Sequence, residues 1–222
     1  KTAAVFVEPV QGEGGVRAIP EHCLTGLREL CDARGALLIY DEVQCGMGRT
    51  GQLFAHEWAA DAAPDIMCVA KGVGSGFPFG ACLTTEATGI VMQPGSHGST
   101  YGGNPLAMPV GNVVWAIISD PAFLEEVRRV SGTVAQGLKS LADSHPGKVE
   151  GVTGKGLLTG LRLTDAPKPV QTGCRDRQLL VGVAGNNVLR LAPPLVITDA
   201  DVREATGIID ESLSAWEPGA EA

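Results

Sequence analysis

Two polar residues, Asp41 and Lys71, each end a run of apolar residues that is suited to a buried strand. Asp41 ends "ALLIYD", and Lys71 ends "DIMCVAK" and is followed at once by "GVGSGFPFG". In an open α/β sheet the ligand crevice lies beyond the carboxyl ends of the strands. We therefore expect both residues, together with Glu8 at the end of the strand "AAVFVE", at one edge of a sheet, where an amine and carboxylates would form a site.

The combination of Asp41 and Lys71 is suited to an aldehyde cofactor such as pyridoxal phosphate. Such a cofactor needs an amine that holds it as a Schiff base and a carboxylate that keeps its pyridine nitrogen protonated. Apolar residues before Lys71 would favour the neutral amine, and the glycines after it would leave room for a moving side chain. The competing interpretation is a solvated lysine at a strand end, followed by an ordinary loop.

Two other glycine-rich sites fit the sequence less well. A nucleoside triphosphate loop places its lysine after the glycines and follows it with Ser or Thr, whereas Lys71 precedes them. A dinucleotide site requires its glycines to open a helix after the first strand, but "GVGSG" leads to Phe77 and Pro78 and predicts no helix.

Composition narrows the class of partner. The net charge is −8 and no Lys/Arg cluster is present, which argues against nucleic acid. The six cysteines show no CxxC pair and no metal-ligand spacing with the four histidines, so we expect neither a metal site nor a disulfide framework, but a reduced, cytoplasmic setting. Cys45, Cys68 and Cys82 are interpreted as small core or pocket-lining residues. No apolar run approaches the roughly 20 residues of a membrane span.

The predicted elements describe two regions, residues 1–119 and 120–222. The first alternates strands with a helix that begins near Pro20 and stops at Gly35, the pattern of an α/β layer with a largely parallel sheet. The second is α+β: helices near 105–119 and 121–142, a turn and strand in "VEGVTGKGLLTGLRL", a hairpin around Gly185-Asn186, and a closing helix capped by Thr198. The tail "EPGAEA" is expected to be loose, and a strand at the very first residues suggests a chain that begins within a domain.

Five stretches together resemble the class III, ornithine-type aminotransferases of the fold type I pyridoxal phosphate enzymes: "EPVQGEGG", "LIYDEVQCGMGRTG", "DIMCVAKGVGSGFPFGA", "GSTYGGNPLA" and "NVLRLAPPL". The resemblance extends to about Val202. It implies an aspartate aminotransferase-like α/β fold, of which this chain is the C-terminal half of the large mixed-sheet domain plus a small C-terminal α+β domain. The family's glycine-containing phosphate cup and ring-stacking aromatic lie outside this sequence.

The resemblance also assigns roles to residues. It implies that Lys71 holds pyridoxal 5'-phosphate and shuttles a proton, and that Asp41 pairs with the pyridine nitrogen. It implies contacts of Val43 with a ring face, of Gln44 with the ring hydroxyl, and of Ser99 and Thr100 with the phosphate across a homodimer interface. No metal is implied.

Two further residues are expected to bind substrate. Arg190 is similar to the arginine that clamps the carboxylate of glutamate or 2-oxoglutarate, and Glu13 to the acid that pairs with that arginine when the other amino donor is bound. Both would be ordinary surface charges if each were seen alone.

The family implies amino transfer between small amino acids and 2-oxo acids. "FAHEW", "GACLTTE" and "VAGNNVLRLAPPLVIT" are most similar to the branch that converts N-acetylornithine and 2-oxoglutarate to N-acetylglutamate 5-semialdehyde and glutamate, in arginine biosynthesis. Ornithine, succinylornithine, succinyldiaminopimelate and 4-aminobutyrate remain alternative substrates. An inactive fragment or scaffold that cannot bind cofactor alone is the alternative of another class.

Overall fold

The computed structural model describes residues 1–219, so the last three residues of the predicted loose tail lie outside the described residues. The described residues form these elements, in chain order: β1 (Ala4–Val7), β2 (Val10–Gln11), β3 (Arg17–Ala18), α1 (Glu21–Arg34), β4 (Leu37–Asp41), β5 (Ile66–Val69), β6 (Ala81–Thr84), α2 (Glu86–Gly89), α3 (Ala107–Ile118), α4 (Pro121–Ser144), β7 (Val149–Lys155), β8 (Leu158–Leu163), α5 (Lys168–Asp176), β9 (Gly182–Ala184), β10 (Val188–Leu191) and α6 (Asp199–Ala215). Short 3-10 turns lie at Ala55–Trp58 and Lys71–Val73.

The chain forms two compact units. The first consists of Lys1–Pro9 and Ile19–Leu124, and the second of Val10–Ala18 and the residues from Glu125 onward. The chain passes from the first unit to the second between Leu124 and Glu125, a few residues beyond the predicted boundary at 119 and 120. In addition, the β2–β3 ribbon groups with the second unit although the sequence places it in the first region. The two-domain division itself stays a prediction.

The first unit is built on a four-stranded sheet in the order β1-β4-β5-β6. β1, β4 and β5 are parallel, and β6 runs antiparallel to β5. The predicted α/β layer with a largely parallel sheet is confirmed. β6 was not predicted, because all four of its residues are exposed and its sequence shows no alternation of buried and exposed side chains.

Helix α1 covers one face of this sheet. Pro20 lies at its N-cap and Gly35 closes it in the left-handed conformation with φ 60°, as predicted. Its buried residues Leu24 and Cys31 pack with Leu38 and Tyr40, the inward-facing residues of β4. Each large apolar side chain buried in this way contributes about 1.5–3 kcal/mol, so the packing fixes the strand that ends at Asp41.

The second unit contains an antiparallel sheet in the order β7-β8-β10-β9. The predicted turn and strand of "VEGVTGKGLLTGLRL" is instead a complete hairpin, β7–β8, with Gly156 in the turn at φ 63°. Helix α4 buries a stripe at helical spacing, formed by Val127, Val130, Val134, Leu138 and Leu141.

The ends of the chain's last elements follow local signals. Thr198 caps α6 by accepting a hydrogen bond from the backbone N–H of Asp201, whose side chain accepts one from Thr198 in return. Helix α5 was not predicted; it is short and begins next to Pro167.

No single helix among the described residues is both long and apolar enough to span a membrane, although α3 and α4, bent by 68°, reach that length and composition together.

Candidate active site

The first group of site residues lies at one edge of the four-stranded sheet. Val7 of β1 is in register with Tyr40 of β4, and Asp41 with Cys68 of β5. Because these three strands are parallel, their carboxyl ends share an edge, and Glu8, Asp41 and Lys71 follow there. The expected convergence of the strand ends is confirmed.

Asp41 is the last residue of β4 and is half-buried. Its Oδ1 accepts a hydrogen bond of 2.9 Å from the backbone N–H of Val43, which turns the chain sharply after the strand. The carboxylate is thereby held in a fixed orientation by its own loop. Val43 and Gln44, both half-buried, follow it directly.

Lys71 opens a 3-10 turn immediately after β5, and its side chain is exposed. Its φ is 46°, in the left-handed region that non-glycine residues rarely adopt. The turn is closed by hydrogen bonds from Val73 N–H to the Ala70 carbonyl and from Gly74 N–H to the Lys71 carbonyl, both 3.1 Å. This conformation stores backbone strain at Lys71, and the role of the lysine in holding a cofactor stays a prediction.

The glycines after Lys71 are required by close backbone approach. A Cβ on Gly74 would lie 2.0 Å from the carbonyl oxygen of Phe77, and one on Gly72 would lie 2.9 Å from Cβ of Met47. These contacts leave no room for a side chain at either position. The structure thus gives a steric reason for "KGVGSG" in addition to the mobility of the lysine.

Ser99 and Thr100 lie in an irregular, exposed segment between α2 and α3. The segment ends at Asn104, whose Oδ1 accepts hydrogen bonds from the N–H groups of Ala107 and Leu106 at 2.8 and 3.2 Å. These two hydrogen bonds anchor the start of α3. The role of Ser99 and Thr100 in phosphate binding stays a prediction.

The second group of site residues, Arg190 and Glu13, belongs to the second unit. Arg190 of β10 donates a hydrogen bond from Nη1 to Oε1 of Glu13 at 2.5 Å. The Glu13 loop is fastened to the β9–β10 hairpin by Gly185 N–H on the Glu13 carbonyl, 2.9 Å, and Asn186 Nδ2 on the Gly14 carbonyl, 3.0 Å. Glu13 and Arg190 are therefore paired in the structure, and their role in substrate binding stays a prediction.

A residue that the sequence analysis missed supports the first group. Glu42 is 1% exposed, and its carboxylate accepts hydrogen bonds from the N–H groups of Ala55 and His56 and from Nδ1 of His56, at 2.5, 2.9 and 2.8 Å. A carboxylate only accepts, so Nδ1 carries the hydrogen. Glu42 therefore connects the start of the loop that contains Val43 and Gln44 to the end of that loop at Ala55 and His56. Its burial follows from strand alternation, since Leu38 and Tyr40 face the core from the same side.

Asp65, the residue just before β5, is held by hydrogen bonds from two neighbouring elements. Burial alone would raise the pKa of Asp65, but hydrogen bonds from the backbone N–H of Leu38 and from Arg28, both 2.8 Å, outweigh it and lower that pKa. Burial raises the pKa of Tyr40 to about 12. Asp65 thus joins α1, β4 and β5 as a carboxylate.

Within residues 1–219, no cluster of three or more His, Cys, Asp or Glu side chains could hold a metal ion.

The architecture and site define a class of protein when compared with known structures. N-acetylornithine aminotransferase from Stenotrophomonas maltophilia superimposes with a TM-score of 0.85 at 37% identity, over 96% of this chain and 56% of that one. Ornithine aminotransferase from Plasmodium yoelii superimposes with a TM-score of 0.88 at 31% identity, over 95% and 56%. The fold is therefore that of the pyridoxal phosphate-dependent aminotransferases, as predicted.

Sequence comparison gives the family. The model of the class-III aminotransferases matches residues 1–213, and the chain belongs to this family. It is 54% identical to an acetylornithine aminotransferase of Mesorhizobium japonicum over 92% of this chain and 51% of that protein. It is 51% identical to acetylornithine aminotransferase 2 of Caulobacter vibrioides over 96% and 53%. The chain spans about half the length of the curated relatives it matches.

Proposed function

We propose that this chain is part of a pyridoxal phosphate-dependent aminotransferase that transfers the amino group of N-acetylornithine to 2-oxoglutarate. The observation that carries the proposal is the placement of Asp41 and Lys71 at the carboxyl ends of adjacent parallel strands, in a chain of the class-III aminotransferase family. The curated relatives cited above are acetylornithine aminotransferases, which supports this substrate over its alternatives.

The residues of this chain fit the cofactor in their chemistry. Lys71 offers an exposed amine, and Asp41 offers a carboxylate already oriented by the Val43 N–H. Lys71 would hold the cofactor, Asp41 would accept a hydrogen bond from its ring nitrogen, and Val43 and Gln44 would contact the ring face and the ring hydroxyl. Ser99 and Thr100 would bind the phosphate in the active site of a partner subunit in a homodimer.

When bound, pyridoxal phosphate supplies an electron sink for the substrate carbon that loses its proton. Lys71 then serves as the base, because its Nζ accepts the proton from the carbon that bears the amino group and returns it in the later half of the reaction. The turn that holds Lys71 keeps its backbone fixed while the four-carbon side chain moves.

Arg190 and Glu13 would let one site accept two different substrates. The planar guanidinium of Arg190 binds the carboxylate of glutamate or 2-oxoglutarate with two parallel hydrogen bonds when Glu13 releases it. With the acetylated amino donor, Glu13 keeps the arginine paired, as in the 2.5 Å ion pair of this structure. The neutral pair then leaves no bare positive charge beside the reacting δ-carbon of that donor, which bears an amino group but no carboxylate.

The enzyme's cellular setting follows from the same proposal. An amino-acid biosynthetic transferase of this kind would act in the cytoplasm, and its partners would be small amino and 2-oxo acids.

The test is full-length protein assayed with each candidate amine and 2-oxoglutarate. We expect the highest kcat/KM with N-acetylornithine; equal or better turnover of 4-aminobutyrate would overturn the substrate assignment. Borohydride reduction in the presence of pyridoxal phosphate, followed by peptide mapping, should fix the cofactor on Lys71. The Lys71→Ala variant is the matched control. An unlabelled Lys71 peptide in the 222-residue chain alone would support the alternative of an inactive fragment.

A further inference from the structure

Cys68 of β5 and Cys82 of β6 lie directly opposite each other in an antiparallel pair. The backbone N–H of Thr85 donates to the Asp65 carbonyl at 3.0 Å, which makes that pair hydrogen-bonded. Since hydrogen-bonded and non-hydrogen-bonded pairs alternate along an antiparallel ladder, Cys68 and Cys82 form a non-hydrogen-bonded pair. In such a pair the side chains are closer and the Cα atoms are about 4.5 Å apart, within the range of about 4.4–6.8 Å that disulfides span.

The two thiols interact in the structure. Burial raises the pKa of the Cys68 thiol, and the charge and hydrogen bonding of Cys82 raise it further, as does the charge of Asp41. Cys68 is half-buried and Cys82 is exposed. Because its raised pKa favours the thiol form of Cys68, Cys82 is the sulfur that reacts first with an oxidant, and Cys68 is placed to react second.

The cysteine pair borders the candidate active site. Cys68 is in parallel register with Asp41, so both side chains leave the same face of the sheet, and Lys71 follows in the turn after β5. Of the other cysteines, Cys31, Cys45 and Cys174 are buried, and Cys23 lies exposed on α1.

We propose that Cys68 and Cys82 form a redox modification site, a dithiol that a low-molecular-weight disulfide oxidises to a cross-strand disulfide next to Asp41. With oxidised glutathione, the Cys82 thiolate attacks one glutathione sulfur, forms a mixed disulfide and releases one glutathione thiolate. The Cys68 thiolate then attacks the Cys82 sulfur and releases the second. The two cysteines lose two protons and two electrons, and one oxidised glutathione is reduced to two thiols.

The second step is favoured because the strands are already paired. β5 and β6 hold the two sulfur atoms together, so the disulfide closes no new loop in the folded protein and the attack is intramolecular.

The experiment uses full-length protein treated with oxidised glutathione, alkylated without reduction and mapped by mass spectrometry. We expect the peptides of Cys68 and Cys82 to be joined, with two hydrogens fewer than the free pair, and to separate on reduction. In Cys68→Ser the mixed disulfide with glutathione should persist on Cys82. Cys23→Ser, which changes an exposed cysteine elsewhere, is the control and should leave the yield of the joined peptides unchanged.

Two results would overturn the proposal. One is wild-type protein in which Cys82 keeps a stable glutathione adduct while Cys68 is alkylated as a free thiol. The other is full alkylation of both cysteines after a treatment that modifies Cys23.

Discussion

The buried carboxylate of Glu42 provides the sharpest test of how the first group of site residues is held. Its Oε1 accepts from both the N–H and Nδ1 of His56, and its Oε2 accepts from the N–H of Ala55. In Glu42→Gln the amide oxygen can replace one carboxylate oxygen, but the amide nitrogen must take the place of the other. If the oxygen stays with His56, a donor then faces the Ala55 N–H.

The magnitude follows from these three bonds. A hydrogen bond to a charged group contributes about 1.5–3 kcal/mol and a neutral one about 0.5–1.5 kcal/mol. Glu42→Gln loses one charged bond and weakens two by about 1 kcal/mol each, a total of about 3–5 kcal/mol before relaxation. Because contributions within one network are not additive, we expect the loss of stability to be about 2–3 kcal/mol. Glu42→Ala should cost about 3–5 kcal/mol, because it leaves the buried donors of Ala55 and His56 without an acceptor, at about 1–3 kcal/mol for each donor.

The assay is hydrogen exchange of the peptide that contains Ala55 and His56, with chemical denaturation measured in parallel. A local loss of about 2–3 kcal/mol corresponds to exchange about 30- to 150-fold faster in Glu42→Gln. Glu29→Gln, an exposed glutamate on α1, is the matched control and should leave this peptide unchanged. Unaltered exchange and a stability change within about 0.5 kcal/mol in Glu42→Ala would refute the anchoring role.

Three further perturbations test the surrounding elements. Gly74→Ala places a Cβ 2.0 Å from a backbone carbonyl oxygen and should lower the free energy of unfolding by more than about 2 kcal/mol. The control is Gly132→Ala at an open position on α4, which should raise that free energy by about 0.5–1 kcal/mol. Equal effects of the two substitutions in denaturant titrations would contradict the steric explanation for Gly74. The lowered pKa of Asp65 contributes stability that is present above the unfolded pKa of about 3.9 and is lost as pH falls through the folded pKa. Asp65→Asn should therefore reduce the loss of stability at acid pH in a curve of unfolding free energy against pH. An unchanged loss at acid pH would show that Asp65 does not cause it. Glu13→Gln should free Arg190 for carboxylates, so steady-state kinetics should give a lower KM for 2-oxoglutarate and a higher KM for the acetylated donor; parallel changes in both would exclude the proposed switch.

The predictable parts of the fold are those with local signals. Pro20 and Gly35 mark the ends of α1, and the apolar runs before Asp41 and Lys71 mark parallel strands whose ends must share an edge. The role of Glu42 was missed because its partner His56 lies 14 residues later in the chain, in the 3-10 turn Ala55–Trp58. Only the alternation along β4 indicates that Glu42 is buried.

Exposed strands and sites are harder to predict for a different reason. β6 lies at the sheet edge with every residue exposed, so no burial pattern distinguishes it from a loop, and it was found only through its pairing with β5. The pairing of Cys68 with Cys82 depends on that strand and was equally invisible in the sequence. Both misses come from contacts between segments that local propensity does not encode.

The conformation of Lys71 allows strain and chemistry to be separated in one comparison. At φ 46° a residue with a Cβ costs about 1–2 kcal/mol that glycine does not. Glycine loses about 0.5–1 kcal/mol through the greater freedom of the unfolded chain. Lys71→Gly should therefore be more stable than Lys71→Ala by up to about 1.5 kcal/mol, although both lack the amine.

The measurement is the denaturation midpoint of cofactor-free Lys71→Gly and Lys71→Ala, with the same pair of substitutions at Arg128 on α4 as the control. At a helical position the order should reverse, since glycine there is about 1 kcal/mol worse than alanine. If alanine were also the more stable residue at position 71, the turn would not be strained. If position 71 is strained, the fold gives up stability to hold the amine of Lys71 in one place. A lysine that only extends into solvent would not need such strain.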